Sequence, residues 1–224
     1  SIHKNTLVLS KLYHKVPVTD EVMNDAPRLV EFTLSELQKE YEDQFGGELV
    51  TGDVDSEELS GVLTNLLDSD NGYAEALKDD ETRDINTFGA IASGEADSLG
   101  ADPLASFNSL VATLPARLRA NATVTMNPTT LEAYQAVVDT TGQPIFKITP
   151  TTFEGYALSL DDNYPEIGDA DKAVVSFGIA DTALGMGNVD INLKNNPYRV
   201  DGVTLFQHVG RVGLAVKDNT ALRM

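Results

Sequence analysis

Apolar residues follow a helical rhythm through much of the first two thirds of the chain and a strand-like one in the last third. The clearest helical stripe is Val30, Leu34, Leu37, Tyr41 and Phe45, at steps of three and four. At about 1.5 Å per residue, the stretch from Pro27 to Phe45 predicts a helix roughly 28 Å long, the longest element in the chain. Gly46 and Gly47 are expected to stop it. Ahead of it, Asn5 to Val18 holds Thr-Leu-Val-Leu and Val-Pro-Val, a β-rich opening with Pro17 at its end or edge. Thr19 offers an N-cap for a short helix through Met23, and Asp25 followed by Pro27 starts the long one.

Signals weaken between Glu48 and Leu99. Glu57 to Leu67 could form a helix with Leu59, Val62, Leu63, Leu66 and Leu67 on one side, but its Asp/Ser/Asn-rich surroundings read as loops. From Asp102-Pro103 the pattern is clean again, with Leu104, Phe107, Leu110, Val111 and Leu114 on one helical face ended or kinked by Pro115. Ala122 to Met126 reads as a short strand, and Asn127-Pro128 caps a helix holding Leu131, Tyr134 and Val138. The rest is mostly strand-like: Ile145 to Ile148, Phe153 to Leu160, Ala173 to Ile179, Val189 to Leu193 and Leu205 to Val216. This order predicts an α+β protein in which the long helix and the remote C-terminal strands pack together, with a separate lobe inserted between them.

Charge changes the picture. The 224 residues carry 35 acidic and 16 basic side chains, a formal charge of −19. Between Asp20 and Asp102 stand 23 acidic and 4 basic residues, so the imbalance lives in one stretch. Gripping nucleic acid or an anionic membrane needs clustered Lys and Arg, and this balance argues against both. The absence of Cys removes disulfides, thiolate metal sites and cysteine nucleophiles. No apolar run approaches the length of a membrane span and no signal peptide is visible, so a soluble chain is expected. Starting at Ser1 without an initiator Met, it reads as a processed or trimmed product.

Candidate chemistry is sparse. His3, His14 and His208 have no metal-ligand spacing, and His208 reads as a packed or interface residue in an apolar strand. Neither a Gly-x-Ser-x-Gly elbow nor a phosphate loop occurs. Gly185-Met186-Gly187 has two glycines of a dinucleotide fingerprint, but Asp190 stands at the third position, so it reads as a hairpin turn. Asp53 to Glu57 and Asp68 to Gly72 offer oxygen ligands without the glycine and twelfth-position Glu of a calcium loop; solvated loops are expected. The sequon Asn121-Ala122-Thr123 would matter only in a secreted eukaryotic context. No cofactor or metal is expected.

Several short motifs nevertheless occur in a telling order. Val22-Met23-Asn24-Asp25-Ala26-Pro27 opens the long helix, and Gly47-Glu48-Leu49-Val50-Thr51-Gly52-Asp53 and Leu59-Ser60-Gly61-Val62 follow it. Val124 to Pro128 then leads to Val138-Asp139-Thr140-Thr141-Gly142-Gln143-Pro144-Ile145-Phe146. Phe153-Glu154-Gly155-Tyr156, Val175-Ser176-Phe177-Gly178 and Phe206 to Val216, with Arg211, complete the series. The combination resembles the tailed-bacteriophage major capsid proteins of the Hong Kong 97 fold, over most of residues 5 to 217. There the helix is called the spine helix. Two departures from the family pattern are Val54, where its Gly-Asp-Gly has a second glycine, and Ala157-Leu158 in place of Pro-Val.

The resemblance implies a peripheral domain of spine helix plus β-sheet, residues 1–50 and 173–224, and an axial domain, residues 51–172. It implies a structural protein and no enzyme: a shell subunit that self-assembles into pentamers and hexamers and encloses double-stranded DNA without sequence-specific binding. Scaffold, portal and decoration proteins would be further partners, no membrane would be involved, and assembly would take place in the host bacterial cytoplasm. Arg28, Lys39, Arg117, Arg119, Arg199 and Arg211 are candidate inter-subunit partners for the acidic surface. The acidic block would either line the shell's inner face, keeping DNA mobile by repulsion, or serve general solubility. Full-length members begin with an N-terminal arm and an extended hairpin loop, so either these have been trimmed or the chain is a fragment; Lys-to-Asn cross-links through that loop are not expected from it. An encapsulin-like nanocompartment shell holding cargo proteins is the alternative, and a soluble α+β enzyme a more distant one.

Overall fold

The computed structural model describes residues 7, 9–25, 27–53, 58–64, 66, 86–90, 99–100, 102–168, 173–200 and 202–224, with backbone alone at 14, 27, 188–200 and 208. In chain order the elements are β1 (Ser10–Thr19), α1 (Asp20–Asp25), α2 (Pro27–Thr51), α3 (Pro103–Thr113), α4 (Ala116–Arg119), β2 (Thr123–Met126) and α5 (Pro128–Gln135). Then follow β3 (Thr152–Phe153), β4 (Tyr156–Leu160), β5 (Val175–Gly178), α6 (Ala180–Ala183), β6 (Leu184–Val200), β7 (Val203–Val216) and β8 (Leu222–Arg223). Two compact units result, one of Thr6–Gly61 with Met186–Leu214, the other built on Val62–Gly185 and Ala215–Met224.

The first unit lays α2 against a three-stranded sheet of order β1-β7-β6. β1 runs antiparallel to β7, from Ser10 opposite Val212 to Thr19 opposite Val203. Alternation along the pleat turns Leu12, Val18, Phe206 and Val212 inward, where all four are buried. Leu37 of α2 joins Val18 and Phe206, flanked by Val16, Val22, Met23, Val30 and Leu34. Tyr41 joins Leu12, Leu59 and Val212, with Phe45 stacked beside it. The helical stripe read from the sequence is thus the face that meets the sheet. Pro17 lies inside β1 because β1 is an edge strand, where a missing N–H interrupts no ladder on the open side. Thr19 Oγ1 accepts the Val22 N–H at 3.4 Å at the start of α1, which continues two residues past Met23.

The helix α2 does not stop at Gly46 and Gly47; it runs 25 residues to Thr51. Each interior glycine costs about 1 kcal/mol relative to alanine, and contacts beyond the pair outweigh that. Val50 is buried, and the buried Glu48 carboxylate accepts the Leu59 N–H at 3.1 Å and the Gln44 side-chain amide. The helix ends at Gly52, whose N–H donates to Glu48 O at 2.9 Å. Gly61 N–H in turn donates to Gly52 O at 2.9 Å, and a Cβ on Gly61 would sit 2.5 Å from Gly52 N. Where a helix was expected within 57–67, the described residues 58–61 are irregular and 62–64 form a turn, although Leu59, Val62, Leu63 and Leu66 are buried as their spacing suggested. Residues 54–57 and the Asp68 to Gly72 cluster lie outside the described residues.

The second unit centres on a five-stranded sheet of order β3-β4-β2-β5-β8. β2 pairs parallel with β4 and antiparallel with β5, and its Val124 and Met126 are fully buried. The stretch 153–160, which reads as one strand, folds as a hairpin with Glu154 (φ 50) and Gly155 (φ 85) at its tip, the two left-handed positions of a type I′ turn. Glu154 bridges back to Lys147, its N–H donating to Lys147 O at 3.0 Å and its carboxylate accepting the Lys147 N–H. Residues 145–148 make a single bridge, Ile148 to Phe153, instead of the expected strand. Val138 falls beyond α5 and is exposed.

Phe107 of α3, Tyr134 of α5, Phe146 and Phe153 form an aromatic core, with Phe153 centroids 4.9 to 5.4 Å from the other three. Asp102 caps α3, accepting the Ala105 N–H at 3.0 Å. Asn127 caps α5 through Thr129 N–H at 2.9 Å, while its amide donates to Tyr164 O at 2.8 Å. Residues 173–185 and 215–224, expected to pack with the long helix, belong to this unit because β5 pairs with β2 and β8 with β5. Gly185 and Gly187 lie within β6 and form no turn. The turn falls instead at Gly202, with φ 75, between β6 and β7.

Candidate subunit-contact surfaces

The six cations expected at subunit contacts sit in different surroundings. Arg28 is exposed on the first turn of α2. Lys39 is exposed but already engaged within its helix, its Nζ 2.6 Å from Glu36 Oε1. Hydrogen bonding to Glu36, then its negative charge, raises the Lys39 pKa above its ordinary value. Arg117 is exposed and reaches Asp218 only at 4.0 Å, too long to hold the guanidinium. Arg199 lies in β6, with its side chain outside the description. Arg211 is exposed on β7 opposite Lys11 of β1.

Arg119 has a role within its own chain. Its Nε donates to Leu114 O and its Nη2 to Ala112 O, each at 2.7 Å. These carbonyls belong to the end of α3, where no further turn supplies N–H partners. The guanidinium closes the helix of its own chain, so Arg119 acts as a structural cap.

One surface group was not singled out from the sequence. The outward face of β1 carries Lys11, Tyr13 and Lys15, all exposed, on the side opposite Leu12 and Val18. Tyr13 is 54% exposed, with Lys11 Nζ 5.6 Å and Lys15 Nζ 4.6 Å from its ring centroid. Cross-strand neighbours are Arg211, Val209 and Gln207. The alternation of Lys11, Tyr13 and Lys15 with Leu12 and Val16 was the available signal; it shows as a cluster only once β7 places Arg211 beside it.

Elsewhere, polar groups serve local geometry. Asp139 Oδ1 accepts the Thr141 hydroxyl at 2.6 Å and the Thr141 and Gln143 N–H groups at 2.7 and 3.0 Å, binding the exposed 139–143 turn. These bonds, the hydroxyl first, hold its carboxyl below the ordinary aspartate value. Burial pushes the Tyr134 phenol up to about 12. Among the described residues no His, Asp and Glu group is arranged to hold a metal ion, and no helix is long and apolar enough to cross a membrane.

A long helix on a three-stranded sheet, joined in one chain to a unit around a mixed five-stranded sheet, is consistent with the Hong Kong 97-like α+β fold of the capsid structures it resembles. The chain belongs to the phage capsid family, whose model matches residues 1–224, and its role is that of a capsid building block. The capsid of a native GTA particle has the same fold, with a TM-score of 0.76 and 20% identity over 97% of this chain and 72% of that one. A Mycobacterium phage Bobi structure aligns at 0.58, with 15% identity over 98% of this chain and 72% of that one. The holo-SrpI encapsulin complex from Synechococcus elongatus PCC 7942 aligns at 0.59, with 14% identity over 96% and 72%. No curated protein matches in sequence.

Proposed function

We propose that this protein is the major capsid subunit of a phage or prophage, assembling as pentamers and hexamers into an icosahedral shell around double-stranded DNA. The match of the phage capsid family over residues 1–224 carries this reading. The unit of Thr6–Gly61 and Met186–Leu214 serves as the peripheral domain, with α2 as its spine, and the unit of Val62–Gly185 and Ala215–Met224 as the axial domain. Arg28, Lys39, Arg117, Arg119, Arg199 and Arg211 are the candidate inter-subunit cations, of which Arg28, Arg117 and Arg211 are exposed, while Lys39 has a partner within α2 and Arg119 bonds to carbonyls of its own chain. Each subunit contact can be weak, because a closed shell engages every copy several times over.

The enclosed DNA is held without sequence reading, since a chain of net −19 has little to displace phosphate counterions. Assembly takes place in the host bacterial cytoplasm, where scaffold, portal and decoration proteins are further partners. Electron microscopy of the purified protein, paired with nuclease-protected DNA content, tests the reading. Uniform icosahedral shells from virions or induced cells, holding DNA, are expected. Shells holding a cargo protein and no genome would instead favour a nanocompartment, whose fold the encapsulin likeness makes a real rival. A stable monomer that never assembles would overturn both.

A further inference from the structure

We propose that the outer face of β1 and β7, where Lys11 and Lys15 flank Tyr13 and Arg211 stands across from Lys11, docks a carboxylate-bearing surface of a second copy of this chain. The proposal rests on the shell reading above and names a contact within it. Residues before Asp20 include three lysines and no acid, whereas the 83 residues from Asp20 to Asp102 carry the entire net deficit. Folding sets two of those lysines on the same sheet face as Arg211, with Lys11 directly across from it and Lys15 four residues further along β1.

The arrangement is unfavourable in a lone subunit. Lys11 stands directly across the ladder from Arg211, and like charges in that position destabilise a sheet. The ion pairs among the described residues, Lys39 with Glu36 and Arg117 with Asp218, involve none of the three cations. Both lysines instead lie over the Tyr13 ring, which is still more than half exposed. An exposed tyrosine with a cationic rim is the anatomy of an interface anchor, apolar in body and polar at its tip. Carboxylates arriving from outside would relieve the repulsion and let the ring be covered.

Charge complementarity identifies the occupant. Every copy offers exposed acids in quantity, Glu31, Glu42 and Asp43 on α2 among them. A shell also holds copies together at high effective concentration. DNA is the poorer fit: three cations neutralise few phosphates, and the field of the whole chain repels a polyanion. Lysines on an edge strand can also serve only to prevent strand-to-strand pairing, which is the outcome to be distinguished.

Shells assembled from an equal mixture of light and heavy-nitrogen-labelled subunits, treated with a zero-length carbodiimide coupler and read by mass spectrometry, provide the test. Amides joining Lys11 or Lys15 of one copy to an Asp or Glu of another are expected. Acetylation of both lysines should be about tenfold slower in the shell than in the free subunit, as for side chains buried at a contact. The triple variant Lys11→Glu, Lys15→Glu, Arg211→Glu should keep its far-ultraviolet circular dichroism yet begin to assemble only at about tenfold higher concentration or above. If it misfolds, the Lys11→Gln, Lys15→Gln, Arg211→Gln variant keeps the β face neutral and should show the same direction of change. Shells whose lysines acetylate as in the free subunit, or a folded variant that assembles normally, would overturn the proposal and leave an edge guard. Normal assembly with loss of DNA retention alone would assign the face to nucleic acid. Failure of the unmodified protein to form shells would show before any lysine is measured, and would sink the shell reading itself.

Discussion

Arg119 shows how a side chain's role is set by what lies unpartnered nearby. In sequence it is one more cation close to Arg117; in the fold it meets two carbonyls at the end of α3, at 2.7 Å each. Arg119→Ala should destabilise the protein by about 1.5–3 kcal/mol, the worth of hydrogen bonds to a charged group, as read by denaturant midpoint. Arg119→Lys should recover only part, because an ammonium on a flexible stem lacks the planar fork that reaches both carbonyls. Asp139 makes the opposite case, since an Asp two and four residues ahead of Thr141 and Gln143 is a turn signal that needs no distant partner. Hydrogen bonds from Thr141 and Gln143 hold its folded carboxyl below the ordinary aspartate value. A depressed pKa means that the turn's stabilisation is complete above the ordinary aspartate range and fades as pH falls through the folded value. Carboxyl NMR should place the midpoint below the ordinary aspartate value, and the protection factor of the Thr141 amide should fall only as pH drops through that midpoint.

At the level of elements, the spacing of apolar residues located α2, α3 and α5 and the face each one buries. Their ends were harder to read. Asn127 announced the start of α5 because capping is a local bond. The far end of α2 was misread because Gly46 and Gly47 carry a local penalty, whereas Glu48 and Val50 gain from partners distant in sequence. The 153–156 hairpin was missed for a similar reason, as Glu154 occupies a left-handed position that Asn or Gly usually fills and is tied to Lys147. Phe153 behind that turn is fully buried among Phe107, Tyr134 and Phe146. Phe153→Ala should therefore cost about 3–5 kcal/mol, lowering the melting midpoint by roughly 10 °C. Truncating the exposed Val138 to alanine should change it by less than about 0.5 kcal/mol.

For the molecule as a whole, charge distribution is the property most directly tied to function. The excess of 19 negative charges predicts that the free subunit does not shift duplex DNA in an electrophoretic assay at physiological salt. A salt-sensitive complex under those conditions would contradict the view of a shell that surrounds DNA without gripping it. Subunit contacts that rely on Lys11, Lys15 and Arg211 should weaken as ionic strength rises toward 1 M, where screening falls to about 3 Å. Apolar contacts would strengthen or stay level, so the salt response of assembly reports which kind dominates.

Sequence alone determined what depends on near neighbours along the chain: the α+β class, the stripe of α2, the cap of α5, the confinement of acid to one stretch, and an ordered set of motifs resembling the capsid family. Each rests on periodicity or on side chains within about four residues, where geometry is local. Only the tertiary structure decided where α2 ends, why Gly52 and Gly61 must lack side chains, that β5 and β8 join the sheet of β2, and that Arg119 is a cap. It also placed Lys11 across from Arg211, two residues separated by most of the chain. Such facts follow from pairing between distant segments, and one strand's pattern does not say which partner its open edge will find.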